Sequence, residues 1–441
     1  MARQLGWIEH SDLPDVDLRR PPCAAGIHAQ AATGAAAVLT ASLLAACAQE
    51  DRGVVINLYG GASMPGMETV LQECNAAANG RYRIVGNLLP SDADGQREQL
   101  VRRLAAQDSN MDLLGTDVTW TAELADAGWI RELSQEQKAA ANEGTLGPTI
   151  ETAVWQDKQY AIPWHTNVQL LWYRKSLVPD PPETYDQMME MAQQLKDQGR
   201  PYEISFTAAQ YEGYVVNVNT LINAFGGSIV NEDATRATID DKTVQALTLL
   251  QRLATSGLTS KSLSNAQEPE VFADLQNGNA AFAVNWPYVL SSMRTANPEV
   301  AADLGFSHLP VVNEGDPPIA TLGGRNLAVS TFSEHPEEAY EAAMCIRNPE
   351  HQLLIALESG EPPVHEPIYE EPEFREQYPM YQVMLEQLQN GVPRPVTPMY
   401  QNISTVISNT LSPPADIDPE QSAEELRQNI QDAIDGKGIL P

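Results

Sequence analysis

From residue 54 onward, short apolar runs alternate with segments whose apolar side chains recur at every third or fourth position. The runs have the length of buried β-strands, and the helical spacing predicts amphipathic helices. Strand and helix alternating in this order are typical of a parallel sheet with helices on its faces. We expect strands at 54–59, 81–89 and 111–115, and helices at 67–74, ended by Asn79-Gly80, and at 96–107.

The same pattern begins again near residue 165 and predicts a second α/β lobe. A later strand at 323–329 and a helix at 336–347 indicate a return to the first lobe, and the tail beyond about 351 is expected to be mostly helical. Within the second lobe we expect strands at 168–173 and 279–286, and helices at 185–198 and 243–256.

Ahead of these elements lies an uncharged, Ala-rich run at 30–46. It is shorter than the roughly 20 apolar residues of a membrane span, but it has the basic flank and small residues of a secretory signal. Leu44-Ala45-Ala46-Cys47 has the form of a bacterial lipobox. We therefore expect 1–46 to be a signal segment and Cys47 to carry a lipid that anchors the protein to the membrane. The alternative is an Ala-rich helix followed by a chance cysteine.

The charge balance narrows the possible partners. Lys and Arg total 27 against 59 Asp and Glu, which gives a formal net charge of −32. Nucleic-acid binding needs clustered basic side chains, so this composition argues against a nucleic-acid partner. The excess of acid is typical of a well-solvated surface. The length of 441 residues is sufficient for two domains of ordinary size.

Two cysteines, Cys74 and Cys345, would remain in the exported protein besides Cys47. In an oxidising compartment two cysteines suggest one disulfide. Two buried free thiols are the alternative, because free cysteine is often buried.

The motifs of the common enzyme classes are missing from the sequence. There is no G-x-S-x-G, no P-loop, no G-x-G-x-x-G after a strand, no H-E-x-x-H and no C-x-x-C. We therefore expect no catalytic residues, no metal site and no cofactor. A pair of glycosidase carboxylates remains the enzymatic alternative, since any acidic protein offers such pairs.

The predicted strand ends carry polar and aromatic residues. Ligands of parallel sheets bind outside the carboxyl ends of the strands. Trp120, Trp164 and Trp286 lie at such ends or in loops, and a sugar site needs aromatic platforms beside polar groups. The alternative is that each Trp fills the core. The loops that the rule selects are 59–63, which begins with Tyr59, 90–92 and 115–120.

Several segments together resemble family 1 extracellular solute-binding proteins, the maltose-binding-like receptors of ABC sugar importers. The resemblance covers nearly all of 53–441, with Leu275 where that family usually has Phe. It implies an α/β, two-lobed periplasmic-binding-protein-like fold of type II. In this fold each lobe is a sheet flanked by helices, and the ligand cleft lies between the lobes. The segments concerned are 160–164, 169–174, 180–185 and 275–282.

The family likeness implies that each lobe is built from separated stretches of chain and that the partners are a sugar and the ABC permease subunits. The expected order is a signal segment at 1–46, the first part of lobe I at 47–164, the first part of lobe II at 165–304, a return to lobe I at 305–350, and the helical C-terminal part of lobe II at 351–441.

Within the family, the chain is most similar to the trehalose-binding lipoproteins of actinobacterial importers. The sequence around both cysteines matches as well, which implies a Cys74–Cys345 disulfide in the first lobe. The matching segments are 114–123, 166–174, 284–289, 323–329 and 394–401, with 73–75 and 344–347 around the cysteines.

That similarity implies a set of sugar-contacting residues. Their chemistry suits the task, because carboxylates accept hydrogen bonds from hydroxyls, amides donate and accept, and an indole stacks on a sugar face. For Arg394 the alternative is a salt bridge between the tail and a lobe. The implied contacts are Asp117, Asn167, Glu268, Trp286, Gly324 and Arg394.

Two residues depart from the trehalose-binding pattern. Arg325 follows Gly324 where those receptors tend to have Leu, and His165 stands where a small polar residue is usual. An arginine beside the pocket can change which sugar fits, so Arg325 joins the candidate site.

The sequence therefore predicts a lipid-anchored, extracytoplasmic receptor that binds a disaccharide, trehalose in the first place, and delivers it to a permease. A receptor for maltose or another oligosaccharide is the alternative within the same scaffold. An exported glycosidase and a structural envelope lipoprotein are the alternatives outside it.

Overall fold

The computed structural model describes residues 53–60 and 64–437. The expected signal segment and the expected lipidation site Cys47 lie outside the described residues. Within them, no helix combines the length and the apolar character needed to cross a bilayer.

The described strands form two larger sheets and one hairpin. In chain order they are β1 (Val54–Gly60), β2 (Tyr82–Leu88), β3 (Leu113–Asp117), β4 (Val154–Trp155), β5 (Lys158–Gln159), β6 (Ala161–Asn167), β7 (Leu170–Arg174), β8 (Glu203–Ser205), β9 (Ala280–Asn285), β10 (Leu304–Ser307) and β11 (Gly323–Val329).

Helices cover the sheets and make up most of the C-terminal part. They are α1 (Met67–Ala77), α2 (Ala93–Ala105), α3 (Thr121–Asp126), α4 (Gln135–Asn142), α5 (Gly147–Glu151), α6 (Tyr185–Asp197), α7 (Glu212–Ala224), α8 (Asp241–Thr255), α9 (Glu268–Gln276), α10 (Tyr288–Ala296), α11 (Pro298–Asp303), α12 (Pro336–Ile346), α13 (Pro349–Ser359), α14 (Pro372–Gln377), α15 (Tyr381–Gln389), α16 (Tyr400–Thr410) and α17 (Pro419–Ile434).

The first sheet has the order β2-β1-β3-β11-β6. The parallel pairing predicted for its first three strands is confirmed, whereas β11 runs antiparallel to both β3 and β6. Successive side chains of a strand point to opposite faces, so Leu113 and Leu114 enter two different cores. One core includes Val70 of α1, and the other includes Leu100 of α2.

The second sheet has the order β10-β7-β9-β8. Its core contains Trp172 of β7 and Phe282 of β9, both fully buried. Helix α16 packs against α7, and α17 packs against α8. Residues of α16 and α17 are also part of the core that contains the second sheet.

Most predicted elements are confirmed with small shifts at their ends. Asn79 and Gly80 follow α1 with positive φ angles of 51° and 79°, which is the left-handed conformation that ends helices. Helix α2 begins three residues before its predicted start, because the side chain of Asp92 accepts a hydrogen bond from the backbone N–H of Gly95 at 2.8 Å.

The chain passes between the two sheets slightly later than expected. Strand β6 stays in the first sheet up to Asn167, beyond the expected boundary at 164, and β10 stays in the second sheet up to Ser307, beyond 304. Each strand continues because its backbone still has a partner in the sheet. The full residue ranges of the lobes stay a prediction.

The disulfide between Cys74 and Cys345 is present, with the two Cα atoms 5.8 Å apart. It links α1 to α12, and Cys74 belongs to the core that both helices share. His351 lies close to both sulfurs. Because both sulfurs are used in the disulfide, this trio is not a thiolate metal site.

Candidate functional site

A cavity of about 480 Å³ is lined by residues of the first sheet, of helices α7 and α9, of the turn after β9 and of the segment before α16. Its volume lies within the roughly 300–1,000 Å³ of typical small-molecule sites. Seven of the eight residues expected from the sequence to touch the ligand line it together. They are Asp117, Asn167, Glu268, Trp286, Gly324, Arg325 and Arg394.

Tyr59, the eighth, does not line this cavity. Its side chain is 7% exposed in the core beside α2, and the guanidinium of Arg103 lies 4.2 Å from the centre of its ring. The rule of strand ends selected the correct edge of the sheet, but the side chain of Tyr59 points to the core face of β1. We therefore leave Tyr59 out of the site.

Arg394 lies between two carboxylates. Its Nη1 donates to Glu212 Oε1 at 2.5 Å, and its Nη2 lies 3.3 Å from Asp117 Oδ1. The arginine side chain is almost fully buried. The salt bridge that the sequence offered as the alternative for Arg394 is thus present, and the residue also lines the cavity.

Asp117 ends β3 with one carboxylate oxygen already engaged. Oδ1 accepts hydrogen bonds from the backbone N–H and the hydroxyl of Thr119, at 2.9 and 2.8 Å. In the described part of the chain no donor contacts Oδ2. The side chain is partly exposed, so Oδ2 is available to accept a hydrogen bond from a ligand hydroxyl.

On β6, Asn167 donates through Nδ2 to Glu361 Oε2 at 3.0 Å. Its Oδ1 is buried, and within the described residues it has no hydrogen-bond donor. Buried amide oxygens are normally satisfied, so this atom is suited to a ligand.

Trp286 and Glu268 form the wall that the second lobe contributes. Trp286 Nε1 donates to Glu268 Oε1 at 3.4 Å, and the hydroxyl of Tyr211 donates to Glu268 Oε2 at 2.6 Å. These contacts hold the carboxylate and the indole at the cavity. The indole ring of Trp286 lies close to Gly323, because a Cβ added to Gly323 would be 3.0 Å from two carbons of that ring.

The other wall includes Gly324 and Arg325, which lie beside a register shift between β11 and β6. The register between β11 and β6 shifts after Arg325, and Gly324 has a φ of 124°. A Cβ at Gly324 would lie 2.4 Å from the carbonyl oxygen of His165, so only glycine fits. Arg325 also lines a neighbouring cavity of about 510 Å³ that includes Trp164.

Acidic side chains outnumber basic side chains in the lining of the cavity. Burial raises the pKa of Glu212 and that of Glu361, and the nearby charges of Arg394 and Arg325 respectively oppose these shifts. Burial, with a smaller effect of Arg325, lowers the pKa of His165 to about 3, so its ring is neutral at pH 7. The lining carries five carboxyl groups, of Asp92, Asp117, Glu212, Glu268 and Glu361, and two guanidinium groups, of Arg325 and Arg394.

Sequence reasoning missed several lining residues. Glu212 and Glu361 carried no signal, because single acidic residues are indistinguishable among 59 of them. His165 was noticed as a departure from the family pattern but was not placed in the site. Of the three tryptophans singled out, Trp286 and Trp120 line the cavity, whereas Trp164 packs in the core.

Comparison with known proteins decides the family. The family model "Bacterial extracellular solute-binding protein" matches residues 87–352, which is more than half of the chain. The chain belongs to the bacterial extracellular solute-binding proteins.

Individual members of the family are distant in sequence and similar in fold. A probable ABC transporter-binding protein of Deinococcus radiodurans is 25% identical over 395 residues, covering 85% of this chain and 92% of that protein. The maltotriose-binding protein of Pyrococcus abyssi is 21% identical over 71% of this chain and 69% of its own length. Maltose-bound T. maritima MalE3 superposes with a TM-score of 0.78 at 25% identity, covering 86% and 99% of the two chains.

These similarities confirm the type II, two-lobed fold expected from the sequence. Extracellular solute-binding proteins of ABC transporters capture a solute and do not transform it, so the chain is not an enzyme. Membership of the family also places it outside the cytoplasm.

Proposed function

We propose that this solute-binding protein is the lipid-anchored receptor of an ABC sugar importer. It binds a disaccharide, with trehalose as the first candidate, and delivers it to the permease. Cys47 carries the lipid, and the ligand contacts are Asp117, Asn167, Glu268, Trp286, Gly324, Arg325 and Arg394.

The observation that carries the proposal is the chemistry of the cavity. An indole platform, Trp286, lies in one space with polar atoms that lack donors in the described part of the chain, Asn167 Oδ1 and Asp117 Oδ2. A sugar offers an apolar ring face and several hydroxyl donors, so it satisfies both features at once. The excess of carboxylates favours a neutral ligand over an anion.

Closure of the lobes would supply the specificity. Asp117 belongs to the first sheet, whereas Glu268 and Trp286 belong to the second lobe. A ligand that contacts both lobes binds the closed arrangement more tightly than the open one. Its binding therefore shifts the equilibrium towards the closed arrangement. A solute with the wrong hydroxyl pattern would leave buried polar atoms unpaired, which costs affinity.

Two observations bear on which sugar is bound. The segments similar to trehalose-binding lipoproteins include Asp117, Asn167, Trp286 and Arg394, which supports trehalose. Arg325 borders a second cavity, and this favours a longer oligosaccharide as the alternative. Maltose and maltotriose, named for two of the relatives, are the natural comparison ligands.

Thermal melting and tryptophan fluorescence of the purified protein test the proposal, with trehalose, maltose and maltotriose as ligands. A ligand at 100 times its Kd adds about 2.7 kcal/mol of stability. We expect trehalose to shift both signals and Asp117→Ala to abolish both shifts. A shift with maltotriose alone would replace the assigned sugar, and a flat response to every sugar would refute the sugar receptor.

A further inference from the structure

His165 and Glu361 form a polar pair in the wall of the cavity that the family resemblance does not explain. Both line the cavity, and His165 Nδ1 lies 3.4 Å from Glu361 Oε2. The two residues come from β6 and from the loop after α13. Asn167, a proposed ligand contact, donates to the same carboxylate oxygen.

The His165 side chain is buried in the cavity wall and makes no hydrogen bond with the described residues. Its side chain is 6% exposed, and neither ring nitrogen has a hydrogen-bond partner among the described residues. The ring rests edge-on against Trp164, with 5.0 Å between the ring centres, so packing fixes its position. Leaving buried polar atoms unpaired costs free energy, and a native protein retains them where a ligand or water completes the bonding.

Two residues that line the cavity contribute three such buried atoms, namely Nδ1 and Nε2 of His165 and Oδ1 of Asn167. Low exposure favours a neutral ring, which presents one donor and one acceptor. A tautomer with Nδ1–H directed towards Glu361 leaves Nε2 free to accept a hydrogen bond from a hydroxyl. The second oxygen of Glu361 can then accept from another hydroxyl.

We propose that His165 and Glu361 are specificity-determining residues that bind two hydroxyls of one sugar ring. This inference rests on the proposed sugar-binding function and names the part of the ligand that these two residues recognise. Arg325, whose charge opposes the protonation of Glu361, keeps the carboxylate available as an acceptor. The ligand class is a neutral sugar with hydroxyls unmodified at this ring.

Two variants test the pair without changing the shape of the wall greatly. His165→Phe removes both nitrogens and keeps a flat ring, and Glu361→Gln removes the charge while an oxygen remains to accept from Asn167. His308→Phe is the matched control, because His308 also has an unpaired buried nitrogen but lies outside the cavity. Circular dichroism and the melting temperature show that each variant is folded.

The readout is the Kd, measured by calorimetry, for trehalose and for its derivatives that lack the hydroxyl at carbon 2, 3, 4 or 6. We expect each cavity variant to bind trehalose about 10-fold to 100-fold more weakly and the control to bind it normally. At least one deoxy derivative should bind the wild-type protein about 10-fold more weakly than trehalose does and show no such loss with His165→Phe. That disappearance identifies the hydroxyl that the histidine contacts.

The failure of this inference differs from the failure of the proposed function. If the wild-type protein binds trehalose but every deoxy derivative loses the same factor on the wild type and on both variants, the inference is overturned. If trehalose does not bind and maltose does, maltose and its deoxy derivatives become the probes, and the same comparison decides. If no sugar binds, the proposed function fails, and the inference fails with it.

Discussion

Arg394 and Asp117 connect the two lobes at the cavity, with 3.3 Å between Nη2 and Oδ1. Asp117 ends β3 of the first sheet, and Arg394 lies in the segment before α16, which packs on the second lobe. The same guanidinium contacts Glu212 of α7, whose carboxylate also accepts from the hydroxyls of Tyr400 and Ser404. One buried cation therefore balances two carboxylates, one from each side of the cavity.

Replacing Arg394 by Ala leaves Glu212 buried without its cation. Breaking a buried ion pair by removing one partner typically costs about 3–5 kcal/mol. We expect a loss of that size in the free energy of unfolding, measured by urea denaturation, together with loss of sugar binding. Arg427→Ala is the control, since Arg427 pairs with Glu424 on the exposed surface and should leave both properties nearly unchanged. Normal stability of Arg394→Ala would contradict the network.

Trp286 supplies the stacking face of the proposed site. Trp286→Ala removes the platform and the hydrogen bond to Glu268, so we expect Kd to rise about 10-fold to 100-fold. Trp286→Phe keeps an aromatic face and should lose less. Calorimetric titration measures both variants, and equal affinity of Trp286→Ala and the wild-type protein would exclude stacking at this residue.

Gly324 holds a backbone conformation that other residues adopt with strain. We expect Gly324→Ala to lower the free energy of unfolding by about 1–3 kcal/mol, because φ is 124° and the new Cβ would meet the His165 carbonyl at 2.4 Å. Gly147→Ala is the matched control, since its added Cβ would have no atom of the surrounding structure within 4 Å beyond its own chain neighbours and helix backbone. A Gly324→Ala protein as stable as the control variant would show that the backbone around Gly324 relaxes freely.

The proposed lipid anchor would depend on one atom of the sequence motif, the sulfur of Cys47. We expect Cys47→Ala to move the protein from the membrane fraction to the soluble extracytoplasmic fraction, because the variant has no site for the acyl chains. Cell fractionation followed by immunoblotting measures the distribution. A Cys23→Ala variant serves as the control and should remain with the membrane; unchanged membrane attachment of Cys47→Ala would refute lipidation at this residue.

Local patterns predicted most of the fold and long-range pairing did not follow from them. The apolar run of β1 and the spacing in α1 are properties of adjacent residues, so their ends were predicted closely. The antiparallel position of β11 between β3 and β6 depends on contacts across more than 150 residues of chain, which no local pattern encodes.

The candidate site shows the same division. Asp117, Asn167 and Trp286 follow or end strands and line the cavity. The rule of strand ends selected the loop of Asp117 and the position of Trp286, whereas Asn167 was implied only by the family likeness. Glu361 reaches the cavity from the loop after α13, a segment with many acidic residues and no periodic pattern. Its position depends on the pairing of this loop with β6, where the backbone N–H of Thr166 donates to the carbonyl oxygen of Pro362 at 3.0 Å.

The burial of His165 predicts that the free energy of unfolding depends on pH. The pKa of His165 is about 3 in the folded protein, whereas an unfolded histidine has a pKa of about 6.5. Between these values the unfolded chain binds the extra proton, so this residue's contribution to stability is complete above pH 6.5 and is lost as the pH falls towards 3. Between pH 7 and pH 5 the loss amounts to about 2 kcal/mol.

His165→Phe removes this contribution, while Glu361 and Arg325 remain in both proteins. The wild-type protein should therefore lose about 2 kcal/mol more free energy of unfolding than the variant between pH 7 and pH 5. Urea denaturation of both proteins at several pH values measures the difference. Parallel curves for the two proteins would mean that His165 takes up its proton in the folded state, and that the ring is not held neutral by its burial.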